Sequence, residues 1–95
     1  MDYEFKTTFW TDFTIADHFG LDAVKDTYQR SFRDWKHNTT YITELCLVLN
    51  WKIWQHYQTN EPLAQLYNDL WWEVRGWCLD NLVGDDQVYF LDTTD

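Results

Sequence analysis

The chain has little that bends a backbone: three glycines and one proline in 95 residues. An all-β sandwich or barrel, with a tight turn every few residues, is disfavoured on that ground alone. Two cysteines are too few for a disulfide scaffold. Basic residues are also scarce, with 7 Lys and Arg against 16 Asp and Glu for a net charge of −9. Phosphate backbones and anionic membrane surfaces are bound through a surplus of Lys and Arg, so nonspecific nucleic-acid or membrane-surface binding is not expected. The longest mid-chain apolar run, Leu45-Cys46-Leu47-Val48-Leu49, is far short of a membrane span. The start, Met1-Asp2-Tyr3-Glu4-Phe5, is acidic and lacks the apolar core of a signal peptide. The expectation is a soluble, cytoplasmic protein with reduced thiols, in which Asn38-Thr39-Thr40 is a helix start and not a glycan site.

What the chain does have is aromatic mass: seven Trp, six Tyr and six Phe. Side chains that large argue against disorder, and 95 residues can bury one modest core. The acid surplus is uneven. Residues 1–37 carry −2 and residues 38–95 carry −7, with five Asp and no base in the last sixteen positions.

The punctuation at Gly20, Asn38, Asn60-Glu61-Pro62 and Gly84 divides the chain into helical stretches, all within one helical domain of residues 1–95. A short leading helix is expected over Thr14–Phe19, with Thr14 and Asp17 as a capping box and Gly20 as its stop. A second helix should start at Asp22 as N-cap and run to about His37, with Val24, Tyr28, Phe32 and Trp35 as its apolar stripe. A third should cover Thr39 to Tyr57, with Ile42, Leu45, Cys46, Leu49, Ile53 and Tyr57 inward. A fourth should begin near Pro62 and end near Leu82. Near the ends, Val88-Tyr89-Phe90-Leu91 is β-prone and Tyr3 and Phe5 alternate with polar residues. They suggest a short terminal β-ribbon, or else two tails lying on the helices. The expected fold is therefore all-α: an antiparallel bundle of three main helices with a short leading helix.

The third helix carries more apolar surface than one stripe holds. Trp51 lies about 180° from Ile42 at 100° per residue, and Trp54 adds to that side. Trp72 falls among Asn68, Asp69 and Arg75 on the polar side of the fourth helix. Two covers are open. The N-terminal aromatics Phe5, Phe9, Trp10 and Phe13 and the Tyr89-Phe90 tail can wrap the helix. Alternatively, Trp51, Trp54 and Trp72 form a contact surface for a partner, since Trp and Tyr are enriched at interface hot spots.

Chemistry-bearing motifs are sparse. Thr14-Ile15-Ala16-Asp17-His18-Phe19-Gly20-Leu21 looks like the first half of a helix-turn-helix, with Ile15, Ala16 and Leu21 packing its two helices. The second half departs, placing Asp26 and Gln29 where buried aliphatics belong and mixing Lys25, Arg30 and Arg33 with acids. His18, His37 and His56 sit on three segments, and the Asp34/His37 pair has no second pair to complete a metal site. Cys46 and Cys78 read as buried, inert thiols. Asp17-His18 is not a dyad, because adjacent helix positions diverge by about 100°. With no nucleophile motif and no phosphate-cradling loop, neither an enzyme nor a cofactor or small-molecule site is expected.

The string Phe9-Trp10-Thr11-Asp12-Phe13-Thr14-Ile15-Ala16-Asp17, with Asp26-Thr27-Tyr28, Arg30-Ser31-Phe32, Trp35, Tyr41-Ile42-Thr43-Glu44-Leu45 and Val48-Leu49-Asn50-Trp51-Lys52-Ile53-Trp54, resembles a group of small uncharacterised proteins. These are encoded in conjugative and other mobile elements of gut Firmicutes and their relatives. The resemblance covers about residues 9–72. It implies a bacterial cytoplasmic protein, an accessory of element transfer or of defence evasion, and no site residues. The functional expectation is a non-catalytic protein-interaction module that self-associates or binds a protein partner through Trp51, Trp54 and Trp72. The alternative is a nucleic-acid-linked regulator, either a degenerate helix-turn-helix protein or an acidic DNA mimic.

Overall fold

The apolar spacing, not the polar caps, decides where the first helix lies. In the computed structural model, which describes residues 3–94, α1 spans Phe9–Asp17. Phe9, Phe13 and Ala16 fall at i, i+4 and i+7 and are all buried. The expected start at Thr14 is five residues late. Thr14 is inside the helix, where its hydroxyl donates to the Trp10 carbonyl at 2.7 Å. Asp17 cannot complete a capping box, because its carboxylate is engaged by other helices. Gly20, at φ +104°, then turns the chain.

Helix α2 spans Leu21–Trp35 and buries Val24, Thr27, Tyr28 and Ser31 on one face. Gly20 holds its N-cap position, so Asp22 lies in the first turn and is not the cap. Helix α3, Thr39–His56, starts where expected: the Asn38 side chain accepts the Tyr41 N–H at 3.0 Å. Helix α4, Glu61–Asn81, is capped the same way, Asn60 accepting the Leu63 N–H at 3.2 Å with Pro62 in the first turn.

The chain end corrects the ribbon expectation. Val88-Tyr89-Phe90-Leu91 lies within helix α5, Asp85–Thr94, and no strand occurs among the described residues. Gly84 at φ +59° reverses the chain, and Asp85 and Asp86 place negative charge on the first turn, where the helix dipole favours it. Phe90 is fully buried in the core, and this burial outweighs a modest β preference. At the other end, the rings of Tyr3 and Phe5 pack on Trp51, so no partner strand forms.

The protein is thus all-helical, with five helices among the described residues where three main ones and a leader were expected. The extra helix packs on α3 and covers part of its apolar surplus. Helix α3 packs against α1, α2, α4 and α5 and is the centre of the fold. Among the described residues, no helix is long and apolar enough to cross a membrane.

Candidate functional site

The three tryptophans singled out by sequence fall in different environments. Trp51 is half-buried and is the hub of an aromatic cluster built from the N-terminal segment and α1. The Tyr3 ring stands edge-on to it at 5.3 Å, Phe5 at 5.6 Å and Trp10 at 6.4 Å. Phe5 stacks on Trp10 at 5.8 Å. The N-terminal wrap therefore covers this part of α3. Trp54, in contrast, is 66% exposed and tilts against Tyr57, itself 58% exposed. Trp72 is 58% exposed and meets the Trp71 ring edge-on at 4.8 Å. Arg75 lies over the same Trp71 ring, 5.6 Å from its centre.

A second constellation links α1, α3 and α4, and sequence reasoning missed it. Lys52 is completely buried. Its ammonium donates to Asp17 Oδ2 at 3.0 Å and to Thr14 Oγ1 at 2.8 Å, and it lies 4.3 Å from the centre of the Trp10 ring. His56, one turn further along α3, places Nε2 2.9 Å from the same Oδ2. From α4, the buried Tyr67 hydroxyl donates to Asp17 Oδ1, and the Tyr67 ring stacks on the His56 imidazole at 5.7 Å. Burial drives the Tyr67 phenol well above its ordinary pKa, and the Asp17 hydrogen bond and charge push it further. One carboxylate thus gathers three donors from two other helices. The residues of this cluster hold one another, which fits a pin between helices better than a site with an open coordination or attack position.

The sequence did contain a signal for it. Leu45, Leu49, Lys52 and His56 recur at i, i+4, i+7 and i+11, which puts a lysine and a histidine on a core stripe. Phe13, Ala16 and Asp17 do the same for a carboxylate on α1.

A related group is Glu44, 2% exposed on α3. Its Oε1 accepts the Tyr3 hydroxyl at 2.8 Å and the Lys6 backbone N–H at 2.9 Å. Its Oε2 is buried without a partner among the described residues.

The remaining sequence candidates stay apart. His18 and His37 are exposed, far from the role His56 takes. Among the described residues no group of three His, Cys, Asp or Glu could hold a metal ion. Cys46 and Cys78 are free and fully buried. Burial pushes both thiols up to about 12, with the neighbouring Cys78 adding to the shift of Cys46. The helix-turn-helix packing expected of Ile15, Ala16 and Leu21 is not what forms: Ala16 is buried, but Ile15 is 54% and Leu21 41% exposed. Arg30 and Arg33 are held by Asp26 at 3.1 Å and Asp34 at 3.0 Å, so two of the three bases of α2 are paired with acids of the same helix. The chain matches no family model, and no curated protein or solved structure matches it.

Proposed function

We propose that this chain is a non-catalytic protein-interaction module that self-associates through the tryptophan-bearing faces of α3 and α4. In keeping with the resemblance drawn from its sequence, it serves as a cytoplasmic accessory protein of a bacterial mobile element. The observation that carries the reading is the exposure of Trp54 and Trp72 while Trp51 is covered. Indoles left in water on well-formed helices are the side chains most enriched at the energetic centres of interfaces. Tyr57 beside Trp54 and Trp71 beside Trp72 enlarge each patch.

Light scattering tests it. The wild type is expected to run concentration-independently near twice 11.7 kDa, and Trp54→Ala and Trp72→Ala are expected to fall towards the monomer mass with unchanged helical content. A monomer in the wild type overturns self-association.

A further inference from the structure

A different part of the surface carries a separate reading. Between α1 and α2, on the side away from α3, runs an open trough of about 400 Å³. Its floor is made of small or buried side chains, Ala16, Ala23 and Thr27. Its lips are apolar and unusually bare: Phe19 is 78% exposed, Ile15 54% and Trp35 39%. It shares Thr8, Phe9 and Trp35 with a second hollow of about 330 Å³, whose lining adds Phe5, Lys6, Thr7 and Tyr41. From Thr8 to Phe19 the trough runs roughly 16 Å at 1.5 Å per residue, the length of about eleven helical residues.

The charge around it is lopsided. Asp12, Asp26 and Asp34 line the trough against a single Arg30. Arg30 is engaged with Asp26, and Arg33 with Asp34. Asp12 accepts only the Thr8 hydroxyl among the described residues, at 2.9 Å, so its charge is left for an incoming cation.

We propose that the α1–α2 trough is a docking groove for a cationic amphipathic helix of a partner protein, about three turns long. The partner's apolar stripe lies between Phe19, Ile15 and Trp35, and its Lys or Arg flank faces Asp12. Two packed helices with a small-residue floor offer the geometry that seats a third helix. A second copy of this chain fits poorly, since it brings a net charge of −9 to an acidic lip. The groove is built on α1 and α2 and shares no residue with the Trp54 and Trp72 faces, so either reading fails without the other.

Two synthetic helical peptides of about eleven residues test the groove. Both carry the same leucine stripe at i, i+4 and i+7, one flanked by Lys and the other by Glu. They are titrated into isotope-labelled protein while backbone amide shifts are followed. The Lys peptide is expected to move the amides of residues 12–19 and 23–35, and the Glu peptide to leave them in place. Phe19→Ser should weaken the Lys peptide about tenfold with the rest of the spectrum unchanged, and Asp12→Asn should weaken it less. The proposal is overturned if the Lys peptide does not bind, if both peptides bind alike, if the shifts fall around Trp54 and Trp72, or if Phe19→Ser binds like the wild type. Shifts of the trough amides on diluting the protein alone would make the occupant a second copy and would overturn it as well.

Discussion

Two charged side chains on the same helix, eight residues apart, are treated in opposite ways. Lys52 and Glu44 are both sealed from solvent on α3. Lys52 has a carboxylate, a hydroxyl and an aromatic face around it. Glu44 has two neutral donors on one oxygen, none on the other, and no cation among the described residues. A buried charge is costly unless it is paired and its hydrogen-bonding capacity is filled. The Lys52 site meets both conditions and joins three helices through Asp17. The Glu44 site meets half of one and ties down only the N-terminal segment over Trp51. The interior of this small fold thus has one polar anchor that specifies how α1 docks, and one weaker clasp beneath a strap.

The sharpest way to break this contrast is Asp17→Asn. It leaves a fully buried ammonium without its counter-charge, a loss of about 3–5 kcal/mol by analogy with other broken buried pairs. That is a large share of the stability of a domain this size. Urea denaturation should show the midpoint collapsing. A loss under about 1 kcal/mol would mean that Lys52 finds other acceptors or leaves the core. The double replacement Asp17→Leu with Lys52→Met should recover part of the loss, since the charge pair is removed together while the Tyr67 hydroxyl and His56 still lose their acceptor.

Tyr67→Phe comes next, at about 1.5–3 kcal/mol, because it removes a buried hydrogen bond to a charged acceptor. It also has a pH signature. Burial raises the phenols of Tyr67 and Tyr3 above their ordinary 10.0, and Asp17 and Glu44 respectively add to it. A group held protonated in the folded state contributes stability that is full below its unfolded pKa and is lost as pH climbs past it. Stability should therefore fall above pH 10. The fall begins nearer pH 9, where unfolded thiols ionise while Cys46 and Cys78 stay neutral until about 12. Denaturation midpoints from pH 8 to pH 11 should flatten to a similar degree in Tyr67→Phe and Tyr3→Phe, because both phenols stay protonated in the fold over this range and only the unfolded ones ionise. A slope unchanged from the wild type in Tyr67→Phe would mean that this phenol ionises as readily in the fold as in the unfolded chain, and Asp17 would not be holding it.

The difference between the two sites also marks what the sequence makes legible. The helical class, the starts of α3 and α4 and the buried thiols follow from caps and from 3.6-residue spacing, which are local. So does the apolar excess of α3, whose resolution, a central position among four other helices, is not local. Lys52 and Asp17 were hidden because a charge on a core stripe looks like an exception until its partner, 35 residues away, is known. α5 was misread for a similar reason. Val88-Tyr89-Phe90-Leu91 favours a strand by composition, and the burial of Phe90 together with the acidic first turn tips it to a helix. Among the surface candidates, periodicity alone could not separate Trp51 from Trp54, because the segment that covers one and not the other comes from the far N-terminus.

Tyr3→Phe tests the clasp more gently. It removes one donor from a half-buried contact and should cost about 1 kcal/mol. The same change should loosen the cover on Trp51, read as increased quenching of tryptophan fluorescence by acrylamide. Protection equal to the wild type would show that ring packing, and not Glu44, holds the strap.

The smallest effect is expected from Glu44→Gln, and its sign carries the argument. The amide oxygen can still accept from Tyr3 and from the Lys6 N–H, while the substitution removes a charge that has no cation beside it among the described residues. The lost hydrogen-bond strength and the relieved burial of charge oppose each other, so stability should stay within about 1 kcal/mol of the wild type. The same chemical change, carboxylate to amide, is then expected to cost several-fold less at Glu44 than at Asp17. If calorimetry gave the two equal losses, Glu44 would have to be neutralising a positive charge, and the clasp would be a second anchor.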